Sequence, residues 1–171
     1  MGNWKQKSGE VFYPERTEEL VLLSMDSCDN LRAAGKAFGT GKARYCCHVN
    51  EQSQLHEMFI YHESGTVIAP HKVSSGSESY LILKGCLDLV FYSDEGELQQ
   101  VIRLSAFGDG ENFFVRIPNP VFRGIVVVKD ALFVEVKEGP FAPDRVIWAS
   151  WEKAKKLQSQ VLEDSMIKSV K

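Results

Sequence analysis

The stretch GTVIAPHKVSSGSESYLILKG, residues 65–85, decides the fold and frames the candidate site. Two runs typical of strands, TVIAPHKV and SYLILKG, flank the turn-forming residues SSGS. Residues two apart in a strand share a face, so His71 and Val73 are expected on the same side. In an antiparallel hairpin Glu78 returns opposite that face, and Tyr80 shares the face of Glu78. The stretch therefore predicts a β-hairpin that brings an imidazole, a carboxylate and a phenol together.

Imidazole nitrogens and a carboxylate oxygen that converge from rigid strands are suited to a metal ion. Two or three histidines with one carboxylate suit Fe, Ni, Mn or Zn and leave coordination positions open for a substrate. His71 and Glu78 are the candidate ligands here. Val73 occupies the position where a second histidine would complete such a set.

The spacing G-x5-H-x-V-x4-E-x6-G over residues 65–85 resembles the first motif of the cupin superfamily, in which a histidine stands at the position of Val73. The segment IPNPVFRGIVV, residues 117–127, resembles the second cupin motif, and the expected histidine falls on Arg123. The resemblance implies an all-β fold: a cupin double-stranded β-helix, or jelly-roll barrel, with a short N-terminal helix and a C-terminal helix.

A narrower resemblance covers roughly residues 42–152. The segments ARYCCHVN, HEMFIY, APHKV, SES, LKG, SDEG, VKEGPF and WASWE together resemble the WbuC-like cupin fold metalloproteins. That family is associated with bacterial surface-polysaccharide (O-antigen) loci. The resemblance therefore implies a sugar-related context and names no reaction.

The two departures from the cupin ligand pattern change the expected chemistry. Valine cannot ligate a metal, and arginine stays protonated in proteins and repels a cation. We therefore expect no cofactor; if a metal binds, it is a divalent Fe, Ni, Mn or Zn ion held by His71 and Glu78. The sharper hypothesis is that Arg123 takes over the electrostatic role of the metal, pairs with Glu78 and holds an anionic ligand.

Other candidate ligand-binding residues lie on the hairpin and on the strand ARYCCHV. Tyr80 is expected in the cavity wall beside Glu78. Arg44 and His48 alternate onto one strand face with Cys46, which either extends the cavity or is a solvated face. The remaining histidines, His56 and His62, are expected at the surface or satisfied by neighbours. All four cysteines are expected to be reduced, and the adjacent pair at 46–47 points to opposite faces of a strand.

The rest of the chain predicts one domain with helices at its ends. Residues 1–41 are interpreted as extended segments and one short helix, capped by Asp26 or Ser27 and ended by glycines. Residues 42–147 contain nine strand-like runs separated by turn residues, which predicts an antiparallel β-barrel. Residues 148–171 have apolar side chains at helical spacing, which predicts an amphipathic helix that packs on the barrel or on a second subunit.

Composition restricts the function classes. The 171 residues, with a net charge of −3, indicate an ordinary globular domain with no footprint for nucleic acid. Apolar runs are too short to span a bilayer and no signal peptide is evident, so no membrane association and a cytoplasmic location are expected.

Several functions remain open from the sequence. The preferred hypothesis is a protein that binds a small polar or anionic, possibly sugar-related, ligand in the barrel. One alternative is a metal-independent nucleotide-sugar isomerase or epimerase with His71 as base, assisted by Glu78 or Tyr80. Others are a metal-dependent cupin enzyme of surface-polysaccharide biosynthesis and a non-catalytic subunit. A homodimer is the expected assembly.

Overall fold

The computed structural model describes residues 4–15, 20–151, 161 and 163. Over these residues the protein is mostly β, with one α-helix of thirteen residues near the N-terminus. Strands β1 (Trp4–Ser8) and β2 (Val11–Pro14) form a hairpin, and helix α1 (Met25–Ala37) follows them.

The cap of α1 is Ser24, two residues before the predicted Asp26 and three before the predicted Ser27. The Ser24 hydroxyl accepts a hydrogen bond from the Ser27 backbone N–H at 3.3 Å, and the Ser27 hydroxyl accepts one from the Ser24 N–H at 3.1 Å. Ser27 is therefore part of the capping box but lies inside the first turn. The prediction of the cap residue was wrong because this reciprocal pair satisfies both backbone donors.

Eight further strands build the barrel. Their bounds are β3 (Lys42–Cys46), β4 (Leu55–His62), β5 (Val67–Val73), β6 (Ser77–Tyr92), β7 (Leu98–Ser105), β8 (Phe114–Pro118), β9 (Phe122–Glu138) and β10 (Val146–Trp148), with a short 3₁₀ helix (Pro143–Arg145) before β10. Within the described residues the strand order is β1-β2-β3-β4-β9-β5-β10, and β6 pairs with β7, β8 and β9. The architecture is an all-β jelly-roll barrel, as predicted.

The two longest strands each join two predicted strands. Gly85, the last residue of the predicted strand SYLILKG, has φ of +75° and lies within β6, where the register with β9 shifts on either side of Lys84. A β-bulge thus bends the strand without ending it. In the same way Lys129 and Asp130, expected as a turn, lie inside β9.

One pair of neighbouring strands is parallel. The strands β2 and β3 pair in parallel, whereas the other strand pairs of the described residues are antiparallel. The antiparallel pairing predicted for residues 42–147 is confirmed, since β2 precedes that range; α1 lies between β2 and β3 and provides the crossover that a parallel pair requires.

The barrel core is formed by inward-facing apolar residues of the long strands. Leu87, Leu89 and Val127 are fully buried, and Met58 and Ile60 of β4 pack against the same cluster. A second cluster holds α1 through Leu31 against Tyr45 and Tyr61. These two clusters hold in place the strands that carry the cavity residues.

A third cluster holds the start of the C-terminal segment. Trp151 makes a T-shaped contact with Phe122, with ring centroids 4.6 Å apart, and Val161 packs against the same cluster. The helix predicted for residues 148–171 begins later, since Trp148 ends β10. Val161 and Glu163 are helical, and the rest of that prediction lies outside the described residues. None of the described helices has the length and apolar character needed to cross a bilayer.

Candidate functional site

A cavity of about 370 Å³ opens between β3, β4, β5, β6, β9 and β10. It is lined by five of the residues that the sequence singled out: His71, Glu78, Tyr80, Arg123 and Arg44. These residues come from strands that are far apart in the sequence and are brought together by strand pairing. No local stretch of sequence therefore contains the whole site. The cavity is the candidate binding site.

Arg123 ties the two cupin-like motifs together. It is the Cα partner of His71 in the β5–β9 pair, and its Nη1 donates to the His71 carbonyl oxygen at 3.0 Å. Its Nη2 contacts Glu78 Oε1, and the two side chains are 1% and 2% exposed. Its Nε has no hydrogen-bond partner among the described residues. A fixed guanidinium therefore lies between the motif histidine and the motif glutamate.

Tyr80 completes this buried group. Its hydroxyl donates to Glu78 Oε1 at 3.3 Å. The Tyr80 hydrogen bond and the Arg123 Nη2 contact both fall on Oε1. Burial raises the pKa of Glu78 despite the opposing Arg123 guanidinium. Burial also raises the pKa of Tyr80 well above its ordinary value, so the phenol stays protonated.

His71 is a hydrogen-bond acceptor at neutral pH. Burial and the Arg123 guanidinium lower the pKa of its imidazole to about 4. Its Nδ1 lies 3.0 Å from the Ala69 carbonyl oxygen, which can only accept, so Nδ1 carries the proton and Nε2 carries the lone pair. The Trp148 indole packs against the ring with centroids 4.9 Å apart and fixes its orientation.

Two charged residues of the cavity were missed by the sequence reasoning. Glu135 and Lys137 lie on β9 and line the cavity with their charged groups 3.4 Å apart. Burial raises the pKa of Glu135, but Lys137, Arg44 and Arg123 outweigh it and leave the pKa below its ordinary value. The signal was present in FVEVK, residues 133–137, where these charges share the face of the buried Phe133.

The remaining histidines are more buried than predicted. His62 lines the cavity edge-on to Phe133, is 8% exposed, and has an Nδ1 without a partner among the described residues. Burial and Lys42 lower its pKa to about 4. His56 is 3% exposed. Of the two alternatives predicted for these histidines, a surface position or a position satisfied by neighbours, the first is wrong, since both are buried on β4 between β3 and β9.

His48 does not line the cavity. Strand β3 ends at Cys46, so the alternation that was expected to carry His48 into the wall stops before it. Its ring instead stacks on His56 at a centroid distance of 4.0 Å, and its Nδ1 lies 3.3 Å from the Glu57 carbonyl oxygen. The expectation that His48 extends the cavity with Arg44 is therefore wrong. Arg44 is exposed at the cavity mouth.

The donor set does not fit a transition metal. The residue at the second-histidine position, Val73, lines the cavity and offers no lone pair. Glu78 is occupied by Arg123, whose positive charge repels a cation. Among the described residues, no group of three or more His, Cys, Asp or Glu side chains converges as a metal site.

Comparisons with known proteins support the architecture. Salicylate 1,2-dioxygenase from Pseudoaminobacter salicylatoxidans, solved with gentisate, is similar with a TM-score of 0.53 and 14% identity, over 69% of this chain and 33% of its own. A cupin superfamily protein from Desulfitobacterium hafniense has a TM-score of 0.45 and 13% identity, over 57% and 76%. KdgF from Halomonas sp. has a TM-score of 0.45 and 21% identity, over 61% and 84%.

The fold is that of the cupins. At such low identities the likeness concerns the fold alone, and this chain spans only a third of the dioxygenase. A family described as a domain of unknown function, DUF6016, matches residues 23–104, which is just under half of the chain. A search of curated protein sequences gives no match. The narrower WbuC-like resemblance is not confirmed by these findings.

Proposed function

We propose that this cupin binds a small, singly anionic, polyhydroxylated ligand, with a sugar acid as the chemical class, in the barrel cavity. The observation that carries the proposal is the charge of the lining. The cavity carries four cationic and three acidic side chains, in a chain whose net charge is −3: Lys42, Arg44, Arg123 and Lys137 against Glu10, Glu78 and Glu135. One excess positive charge in a walled cavity favours one negative charge on the ligand.

The size of the cavity supports a monosaccharide-sized ligand. A volume of about 370 Å³ lies at the small end of the range of ligand pockets, roughly 300–1,000 Å³. A nucleotide-linked sugar is considerably larger, so the volume favours an unlinked sugar acid over the nucleotide-sugar alternative.

The polar groups of the floor support a ligand with hydroxyl groups. The Glu78 carboxylate and the Nε2 of His71 are hydrogen-bond acceptors of residues that line the cavity. Acceptors of this kind need donors, and the hydroxyl groups of a sugar supply them. The Tyr80 oxygen can accept a further hydrogen bond from the same ligand, while Arg123 fixes the orientation of Glu78.

The mouth of the cavity supports a ring-shaped ligand. Trp148 and Phe141 line it and are 59% and 40% exposed. In the sheet order, β10 with Trp148 lies on one side of β9, and β3 with Arg44 lies on the other. The apolar face of a ring can pack against the indole while its anionic group lies toward the cations. The resemblance to proteins of surface-polysaccharide loci agrees with such a ligand.

Binding is favoured over catalysis by the state of His71. A general base is most effective when its pKa lies near the working pH, and the pKa of His71 is lowered to about 4. The imidazole is thus suited to accept a hydrogen bond and is a weak base for the isomerase alternative. The metal-dependent alternative lacks a fitting donor set.

The proposal is tested by calorimetric titration of the wild-type protein with two matched pairs of sugars. Glucuronate and glucose share a ring and differ in a carboxylate, as do galacturonate and galactose. We expect at least one acid to bind more tightly than its neutral partner, and the preference to shrink at high ionic strength. Equal affinity within both pairs, or no binding of either acid, would contradict the proposal.

A further inference from the structure

Lys137 is the cation of the cavity floor that keeps its hydrogen-bond donors available. Its Nζ lies 3.4 Å from Glu135 Oε1, a long contact for a charged pair, and a single acceptor can engage only one of its three N–H donors. Its side chain is 26% exposed, and that of Glu135 is 13% exposed. An ammonium group in this state has free donors and a loosely held counter-charge.

Arg123 is in the opposite state. Its side chain is 1% exposed, one Nη donates to the His71 carbonyl and the other contacts Glu78. Such a guanidinium cannot present its two-nitrogen fork to a ligand without giving up both contacts, and breaking a buried pair is costly. Arg123 therefore contributes a positive electrostatic potential to the cavity but does not donate a bidentate hydrogen bond to the ligand.

Strand register places Lys137 beside the polar floor. In the β6–β9 pair the Cα partner of Glu78 is Lys137, and the partner of Tyr80 is Glu135. An anion held by Lys137 would thus lie next to Glu78 and Tyr80, the groups proposed to meet hydroxyls. Arg44 lies at the mouth, on the far side of β4.

We propose that Lys137 binds the anionic group of the ligand and thereby sets the preference for an acid over its neutral analogue. This inference rests on the proposed function. On binding, the ligand anion takes the place of the Glu135 carboxylate as hydrogen-bond acceptor for the ammonium. Glu135 is the counter-charge of Lys137 in the ligand-free protein.

The experiment compares four full-length proteins by calorimetric titration with the acid and the neutral sugar of one pair, glucuronate and glucose. They are the wild type, Lys137→Met, Lys137→Arg and Lys129→Met. Lys129 is the matched control because it lies on the same strand, is exposed, and does not line the cavity. Thermal unfolding of each protein establishes that the variants are folded.

The expected result is a loss of discrimination confined to one variant. In Lys137→Met the ratio of the two affinities should fall by about tenfold, the effect of losing one hydrogen bond to a charged group. In Lys137→Arg and Lys129→Met the ratio should stay near the wild-type value.

Two outcomes would overturn the inference, and they are distinguishable. If the wild type and Lys137→Met prefer glucuronate over glucose equally strongly, Lys137 does not bind the anionic group. The proposed function would then survive without this inference. If the wild type does not prefer the acid, the proposed function fails and this inference fails with it.

Discussion

Arg123 forms a buried ion pair with Glu78, and neither side chain is more than 2% exposed. The pair joins the first cupin-like motif to the second, from β6 to β9, at positions where the cupin motif pattern has metal ligands. The positive charge at this position therefore belongs to the side chain of Arg123 and not to a bound metal ion. Its loss should affect both the fold and the binding site.

Removal of Arg123 should destabilise the protein strongly. In Arg123→Ala the Glu78 carboxylate is left buried without its counter-charge, and we expect the free energy of unfolding to fall by about 3–5 kcal/mol. Urea unfolding measures this directly. Arg116→Ala is the control, because Arg116 is exposed on β8 and should change stability little. Equal effects of the two variants would show that the buried pair does not stabilise the fold.

Restoration of two histidines should restore metal binding. In Val73→His with Arg123→His, the guanidinium is removed and two imidazoles join His71 and Glu78 around the cavity. We expect this double variant to retain a divalent ion such as Ni or Zn in elemental analysis, and to gain thermal stability when the ion is added. A folded double variant that binds no metal would show that these four positions do not converge.

Stability should fall as the pH drops below neutral. All four histidines have pKa values lowered by burial, and those of His48, His62 and His71 are lowered to about 4 from 6.5. The unfolded chain therefore binds more protons, so this stability is fully present above pH 6.5 and is lost as the pH falls toward 4. Urea unfolding across this interval should show a falling free energy of unfolding.

His62 provides the test of that pH dependence at a single site. It is 8% exposed, and its lowered pKa corresponds to about 3 kcal/mol of the acid-sensitive stability. His62→Gln should flatten the decline between pH 6.5 and pH 4 by about that amount. A curve for this variant that runs parallel to the wild-type curve would contradict the assignment.

Two glycines with positive φ should differ sharply in their tolerance of a methyl group. A Cβ on Gly85 would lie 1.9 Å from the Asp130 carbonyl oxygen, whereas one on Gly65 would meet nothing within 4 Å. Both have φ near +80°, at +75° and +83°. Gly65→Ala should therefore cost only the conformational penalty of about 1–2 kcal/mol, and Gly85→Ala clearly more. Thermal unfolding that gives equal losses would show that β6 and β9 can separate at the bulge.

The fold was predictable because its signals are local. Alternation and turn residues located the strands, and the spacing around residues 65–85 indicated the cupin barrel. The long strands β6 and β9 were divided in the prediction because Gly85 and Lys129–Asp130 are typical of turns. Only the pairing partner decides whether such residues end a strand or form a bulge within it.

The site was predictable where it followed the motif, and was missed elsewhere. His71, Glu78, Tyr80 and Arg123 were placed in one cavity by strand alternation and by the resemblance. Lys137 and Glu135 were missed because charged side chains on a strand normally indicate a solvated face. His48 was placed wrongly because β3 ends at Cys46 and the His48 ring stacks on His56 of β4, a contact that alternation within one strand cannot reveal.

The most direct test is a high-resolution crystal structure of the wild-type protein soaked with glucuronate, with anomalous data to identify any metal. The predicted result is the intact Arg123–Glu78 pair, a carboxylate on Lys137, sugar hydroxyl groups on Glu78 and His71, and no metal among these side chains. A metal ion bound between His71 and Glu78, with Arg123 turned away from the cavity, would contradict it.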